Sequence, residues 1–129
     1  MGRRVADWFR QAEADLRHAR HAMEDGDFEW SCFAAQQAAE KALKALFQKL
    51  GMEAWGHTLT ALVGNLPPEV GPTADLIDCA RTLDKHYIPT RYPNSFDSGA
   101  PTDFYTRADA ETAIQCAEVI LEFCRRQIG

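Results

Sequence analysis

The chain has 129 residues, of which 46% are hydrophobic and 26% are charged, and its formal net charge is -5. This length suits one domain with one core, so we expect residues 1–129 to form a single domain. The acidic balance disfavours sequence-blind coating of nucleic acid, which needs many lysines and arginines, but it leaves room for a local basic pocket.

The sequence predicts a cytoplasmic protein with no membrane partner. No apolar run approaches the ~18 residues that suggest a transmembrane helix, and the charged N-terminus, MGRRVADWF, lacks the apolar core of a signal peptide. The cysteines contain no C-x-x-C pair and lie on or beside apolar helical stripes, which indicates reduced thiols rather than a zinc site. They are Cys32, Cys79, Cys116 and Cys124. We expect no metal and no other cofactor.

Apolar residues recur at helical spacing along most of the chain, and alternating strand-like runs are missing from the sequence. The first predicted helix covers about residues 4–24 and ends at an Asp-Gly-Asp break. The second, about residues 28–50, is apolar nearly all round, which suits the middle of a bundle or a position between the core and a dimer interface. On its thin polar strip, Glu40 precedes Lys44 by four residues and predicts a surface pair worth a few tenths of a kcal/mol.

Three further helices follow in the prediction. A short one begins after His57 and Thr58, and we expect one of these two residues to cap its free amides, with a ligand-facing His57 as the alternative. A fourth helix covers residues 74–87 and stops before Pro89, which removes a backbone donor. A long irregular segment, residues 88–105, then precedes a last helix over residues 107–128. The predicted fold is all-α, an up-and-down four-helix bundle with an additional short helix.

Arg81 and His86 form the first candidate site. A histidine can move a proton near neutral pH, and an arginine can hold a phosphate as charge builds, so the pair has the chemistry of metal-independent RNA cleavage. Five residues along one helix separate the two side chains by roughly 140°. They would meet on one phosphate if the helix deforms, if the arginine reaches round, or if two chains each contribute one residue. The alternative is a surface arginine and a half-buried histidine.

Tyr87, Arg91 and Tyr92 form the second candidate site. Aromatic faces stack on bases, and arginine binds phosphate or itself stacks, so the three residues could form a nucleotide-sized cleft. Lys41 and Lys44 are possible helpers that face the phosphate. The alternative is that both tyrosines seal the core under the loop while Arg91 pairs with a carboxylate.

Three sequence blocks occur here in the order seen in the HEPN (higher eukaryotes and prokaryotes nucleotide-binding) domain family. They are WSCFAAQQAAEKALKALF (residues 30–47), GHTL (56–59) and LDKHYIPTRYP (83–93). The chain therefore resembles HEPN proteins over nearly its whole length. The segment from Tyr87 to Pro93 is similar to a signature of small stand-alone members of the family.

The resemblance implies a small helical bundle, usually a homodimer, that in many prokaryotes works in a complex with a minimal nucleotidyltransferase. Some members are metal-independent ribonucleases whose R-x4–6-H motif meets across a dimer, and others are binding or scaffold partners. Arg81 and His86 correspond to that motif at its shortest spacing. We therefore expect a dimeric protein that binds a nucleotide or RNA at Tyr87, Arg91 and Tyr92. A ribonuclease toxin and a non-catalytic scaffold subunit are the alternatives.

Overall fold

The computed structural model describes residues 4–129, and the regular structure in this part of the chain consists of helices without a strand. Its helices are α1 (Val5–Glu24), α2 (Phe28–Lys49), α3 (Leu59–Gly64), α4 (Ala74–Asp84), α5 (Pro101–Phe104) and α6 (Arg107–Ile128), with 3-10 turns at Pro68–Val70 and Pro93–Ser95. The predicted all-α bundle is confirmed. Residues 1–3 of the predicted domain lie outside the described residues. None of the helices in residues 4–129 is long and apolar enough to cross a membrane.

Helix α2 is the centre of the bundle. It packs against α1 on one side and α6 on the other, while α4 packs against α6 and α3. Alanine fills the contact surfaces, because α2 alone buries Ala34, Ala35, Ala38, Ala39, Ala42 and Ala45. Such small side chains let helix backbones come close, and the Ser31 hydroxyl donates a 2.7 Å hydrogen bond to the Ala19 carbonyl of α1. The predicted position of α2 inside the bundle is confirmed.

Helix α3 begins at a cap supplied by another helix. The Asp84 carboxylate, at the end of α4, accepts hydrogen bonds from the Leu59 amide at 2.6 Å and the Thr60 amide at 3.1 Å. It also accepts one from the Thr60 hydroxyl at 2.8 Å. The expectation that His57 or Thr58 caps this helix is wrong, because neither side chain bonds the free amides. The cap instead ties the start of α3 to the end of α4.

We expect Asp84→Ala to lower the free energy of unfolding by about 1–2 kcal/mol, the usual cost of a lost N-cap. Urea denaturation at pH 7 measures it. Asp78→Ala is the matched control, because Asp78 lies on the same helix, is mostly exposed and, among residues 4–129, has an ion-pair contact only with Arg81, at 4.0 Å. Equal costs for the two variants would show that the Asp84 contacts do not stabilise the fold.

Helix α4 ends three residues earlier than the sequence predicts. The chain turns at Lys85, where the His86 amide donates to the Leu83 carbonyl at 2.9 Å. The buried Thr90 then donates its hydroxyl to the His86 carbonyl at 2.7 Å, which closes a turn around Pro89. The predicted irregular segment is also partly ordered, since it contains α5 and a 3-10 turn, with Phe96 and Phe104 stacked at 4.4 Å.

Candidate functional site

The guanidinium of Arg91 lies among three aromatic rings, an arrangement we name the Arg91 cage. Its carbon is 4.5 Å from the centre of Phe33, 4.7 Å from that of Tyr87 and 5.2 Å from that of Tyr92. Its Nε donates to the Tyr87 carbonyl at 3.0 Å, which holds the side chain back against its own turn. Within residues 4–129 no carboxylate lies within 4 Å of it and its terminal nitrogens find no acceptor. The guanidinium is therefore fixed by stacking, and its outer edge is left for an external anion.

Tyr87 is the shared wall of the site. The His57 ring stacks on it with centres 4.7 Å apart and planes 17° apart, and Arg91 lies against the same phenol. Phe33 and Trp30 continue the aromatic surface onto the first turns of α2, each ring 6.2 Å from the next. The rings of Trp30 and Tyr92 are about half exposed. Flat, solvent-accessible rings of this kind suit stacking with nucleobases.

Glu40, at the inner edge of the site, is a buried carboxylate rather than part of a surface pair. It is only 5% exposed, and its Oε2 accepts hydrogen bonds from His57 Nδ1 at 2.8 Å and from Lys44 Nζ at 3.0 Å. The Gln36 amide contacts its other oxygen at 3.3 Å. Burial alone would raise the pKa of Glu40, but the hydrogen bonds from Lys44 and His57 outweigh it and lower the pKa. Glu40 is therefore ionised at neutral pH.

A cleft opens where α3 meets the end of α4, beside His57 and Tyr87. Its cavity volume is about 390 Å³, and it is lined by His57, Thr58, Asp84, Lys85, Tyr87, Ile88 and Pro89. The His57 side chain is 53% exposed here. Its Nε2 has no hydrogen-bond partner in the part of the chain that the structure describes. The cleft thus offers a free imidazole nitrogen next to the Arg91 cage.

Arg81 and His86 are not brought together within one chain. Arg81 lies in the last turn of α4 with its side chain 71% exposed, and its nearest carboxylate oxygen in the described part of the chain is that of Asp78 at 4.0 Å. His86 lies beyond the helix end and turns inward, edge-on to Tyr105 at 5.6 Å, with its Nδ1 buried and unbonded. Burial lowers the pKa of His86. Within one chain this matches the alternative of a surface arginine and a half-buried histidine.

The burial of His86 should make the folded protein less stable at acidic pH. Because its pKa lies below 6.5 in the folded protein and near 6.5 in the unfolded chain, the unfolded state takes up the proton first. Stability is therefore retained above pH 6.5 and falls as the pH drops through the folded pKa. We expect His86→Leu to lose less stability than the parent between pH 7.5 and 5.5 in urea titrations. The exposed His18→Leu is the control and should keep the parental dependence; an unchanged dependence in His86→Leu would contradict the prediction.

The two candidate lysines of α2 are both engaged by carboxylates. Lys41 Nζ is 2.6 Å from the Asp15 carboxylate of α1, while Lys44 belongs to the Glu40 network beside the cage. Both side chains are less than a quarter exposed. Lys44 therefore lies next to the aromatic site, whereas Lys41 faces α1.

Sequence reasoning missed three residues of the site, Trp30, Phe33 and Glu40. The structure brings Tyr87, Arg91 and Tyr92 together, as the sequence predicts, but the floor and inner edge of the site come from α2. A signal for this was present, because Gln36 and Glu40 are polar residues one turn apart on a helix that is apolar nearly all round. Buried polar groups at helical spacing need partners, and these partners are His57 and Lys44.

The fold is that of a helical bundle of the HEPN class, and the chain belongs to the HEPN domain family: residues 5–127 match the HEPN domain. The crystal structure of TT1696 from Thermus thermophilus is 46% identical and covers 97% of this chain and 98% of its own, with a TM-score of 0.95. ST0689, an archaeal HEPN homologue, is 46% identical with a TM-score of 0.84, and each chain covers 98% of the other. "Putative toxin MJ1304" from Methanocaldococcus jannaschii is 27% identical over 124 residues, 89% of this chain and 82% of that one.

Proposed function

We propose that this HEPN protein binds nucleotides or single-stranded RNA, with Arg91 holding a phosphate and Tyr92 and Tyr87 contacting the base. The observation that carries the proposal is the Arg91 cage. An arginine stacked on three rings, with no carboxylate within 4 Å in residues 4–129, keeps its positive charge for a ligand. The half-exposed Tyr92 ring beside it offers the stacking face.

The acidic net charge fits a local site rather than a broad one. Several arginines elsewhere on the surface pair with acidic side chains, as Arg20 does with Glu118 at 2.6 Å and Arg125 with Glu13 at 3.1 Å. Lys41 and Lys44 are likewise engaged, so Lys44 would assist only by moving from Glu40 towards a bound phosphate. Binding should therefore depend mainly on Arg91 and weaken only modestly with salt.

Arg91→Ala is expected to weaken binding of a fluorescent single-stranded oligoribonucleotide by about 5- to 150-fold, since a charge-assisted contact and a stacking wall contribute about 1–3 kcal/mol. Fluorescence anisotropy measures it. Arg81→Lys is the matched control, because it keeps the charge on an exposed side chain outside the cage. Arg91→Lys should recover only part of the affinity, because an ammonium cannot stack as a guanidinium does. Equal affinity in the parent and Arg91→Ala would end the proposal.

The partners expected of this protein are a second copy of itself and a minimal nucleotidyltransferase, acting together in the cytoplasm. Exposed apolar residues support an interface, since Trp55 is 79% exposed and Trp30 is 49% exposed. A scaffold role without a ligand would use the same surfaces. Light scattering of the purified chain, alone and with a candidate nucleotidyltransferase, tests both partnerships.

The second candidate function is a metal-independent RNA endonuclease of the toxin type, favoured by the similarity to a relative whose name contains the word toxin. In this case Arg81 would hold the phosphate and His86 would transfer the proton. Because the two side chains lie apart in one chain, the pair would have to be completed by a second copy. RNA cleavage that survives EDTA and is lost in His86→Ala would support it.

A further inference from the structure

We propose that the exposed surface of α1 is a docking site for an acidic segment of a partner protein. A groove with a volume of about 760 Å³ runs along this helix from Arg4 to Arg17 and is bounded by Lys41 of α2. We name it the α1 groove. It contains no residue of the Arg91 cage, and the inference does not rest on the proposed function.

The α1 groove is positively charged in a chain whose net charge is -5. Four of the side chains that line it are cationic and two are carboxylates. The cations are Arg4, Arg10, Arg17 and Lys41, and the carboxylates are Asp7 and Glu13. A positive surface of this kind attracts an acidic partner and repels a basic one.

The arginines of the α1 groove are available to a partner. Asp7 accepts hydrogen bonds from Arg4 Nε at 3.1 Å and from a terminal nitrogen of Arg10 at 3.0 Å, so one carboxylate faces two guanidinium groups. Both arginine side chains are largely exposed. Arg17 is also exposed, and within residues 4–129 it has no ion pair or hydrogen bond from its side chain. The excess positive charge therefore lies on groups that solvent reaches.

The other two charged groups of the groove are already paired. Glu13 contacts Arg125 of α6 at 3.1 Å, and Lys41 contacts Asp15 at 2.6 Å. These pairs are close to neutral, so they neither cancel nor add to the charge of the three arginines. The arginines of α1 therefore determine which partner the groove attracts.

The spacing of the arginines suits a peptide segment. Arg10 and Arg17 are seven residues apart on one face of α1, which separates them by about 10 Å along the helix. An extended peptide covers about 10 Å in three residues. An acidic segment with carboxylates three residues apart could therefore place one on each arginine. Asp7 and Glu13 interrupt the positive line, which disfavours a nucleic acid strand with a phosphate at every nucleotide.

An apolar anchoring point lies at one end of the α1 groove. Trp8 lines the groove and also a second hollow of about 310 Å³, which it shares with Met52, Ala54 and Trp55. Trp55 is 79% exposed. Exposed tryptophan beside charged residues is typical of protein interfaces, where this residue is enriched among those that contribute most to binding. We therefore expect the acidic segment to carry an apolar side chain at the end that meets the tryptophans.

The test measures the binding of fluorescein-labelled peptides to the full-length chain by fluorescence anisotropy. The acidic probe consists of two leucines followed by six glutamates, and the control peptide has lysines in place of the glutamates. We expect the parent to bind the acidic probe and not the lysine peptide. Raising the ionic strength should weaken the binding, because the charged contacts lie at an exposed surface.

Two variants test the two ends of the groove. Arg17→Glu should weaken binding of the acidic probe by about tenfold or more, because like charges then face each other. Arg20→Glu is the matched control and should bind as the parent does, since it makes the same charge change on α1 at a residue that pairs with Glu118 outside the groove. Trp55→Ala should weaken binding by about fivefold or more. The exposure of Trp55 means that this substitution removes little packing.

Three results would overturn the inference. The first is an acidic probe that does not bind the parent, or that binds the parent and Arg17→Glu equally well. The second is a groove that takes nucleic acid, shown by an oligoribonucleotide whose binding Arg17→Glu weakens while the acidic probe does not bind. The third is a groove that takes a second copy of this chain, shown by light scattering if Arg17→Glu converts a dimer into a monomer and the acidic probe does not bind.

Discussion

Glu40→Ala is expected to lower the free energy of unfolding by about 3–5 kcal/mol, the cost of removing one partner from a buried ion pair. The substitution leaves the Lys44 ammonium, which is only 18% exposed, without its carboxylate. It also removes an acceptor from the fully buried Gln36. Since a domain of this size has only about 5–15 kcal/mol of net stability, the variant should unfold at much lower urea concentration.

The control for this prediction is Glu53→Ala, at an exposed position. It should cost much less than Glu40→Ala. The pKa of Glu40 is lower in the folded protein than its value of 4.5 in the unfolded chain. Its stabilisation is therefore present above pH 4.5 and is lost as the pH falls through the folded pKa. If Glu53→Ala and Glu40→Ala cost the same, the buried network does not stabilise the fold.

The fold was predictable because its signals are local. Helix α6 begins where the sequence places it, with the Thr106 hydroxyl accepting the Asp109 amide at 3.2 Å and the Asp109 carboxylate accepting the Thr106 amide at 2.9 Å. Gly51 follows α2 with a φ of 73°, as a glycine after a helix end should. Apolar periodicity, capping residues and helix-ending glycines depend only on residues a few positions apart. They can therefore be recognised in the sequence alone.

The site was only partly predictable because its contacts join distant segments. The grouping of Tyr87, Arg91 and Tyr92 follows from their closeness in the chain. The contacts of Glu40 with His57 and of Asp84 with Leu59 link residues 17 and 25 positions apart. The sequence shows that Glu40 lies one helical turn before Lys44 on α2. It does not show that the loop before α3 brings His57 onto Glu40.

Helix α2 connects the core to the site. Phe33, Gln36 and Glu40 lie at helical spacing on one face of it and contact Arg91 and His57. Most of its remaining surface is buried against α1 and α6. A site residue on a helix that is packed over most of its surface has little freedom to move, and such rigidity is what binding requires. Substitutions that remove packing around α2 should therefore weaken binding at the site as well as lower the free energy of unfolding.

Phe47→Ala is the test of that connection, with an expected cost of about 3–5 kcal/mol. The ring is 2% exposed and belongs to the hydrophobic core together with Leu43 and Leu46 of the same helix. Its removal deletes a large apolar volume, and close-packed surroundings relax only in part, so a cavity should remain. The measurement is urea unfolding, together with oligoribonucleotide affinity below the transition.

Phe104→Ala is the matched control, because this ring is 48% exposed and stacks only on Phe96 among the aromatic contacts of residues 4–129. It should cost less than half as much as Phe47→Ala. We also expect weaker binding in Phe47→Ala than in Phe104→Ala, since Phe47 lies on the helix that carries Phe33 and Glu40. Unchanged affinity in a clearly destabilised Phe47→Ala would show that the site keeps its geometry independently of the packing of α2.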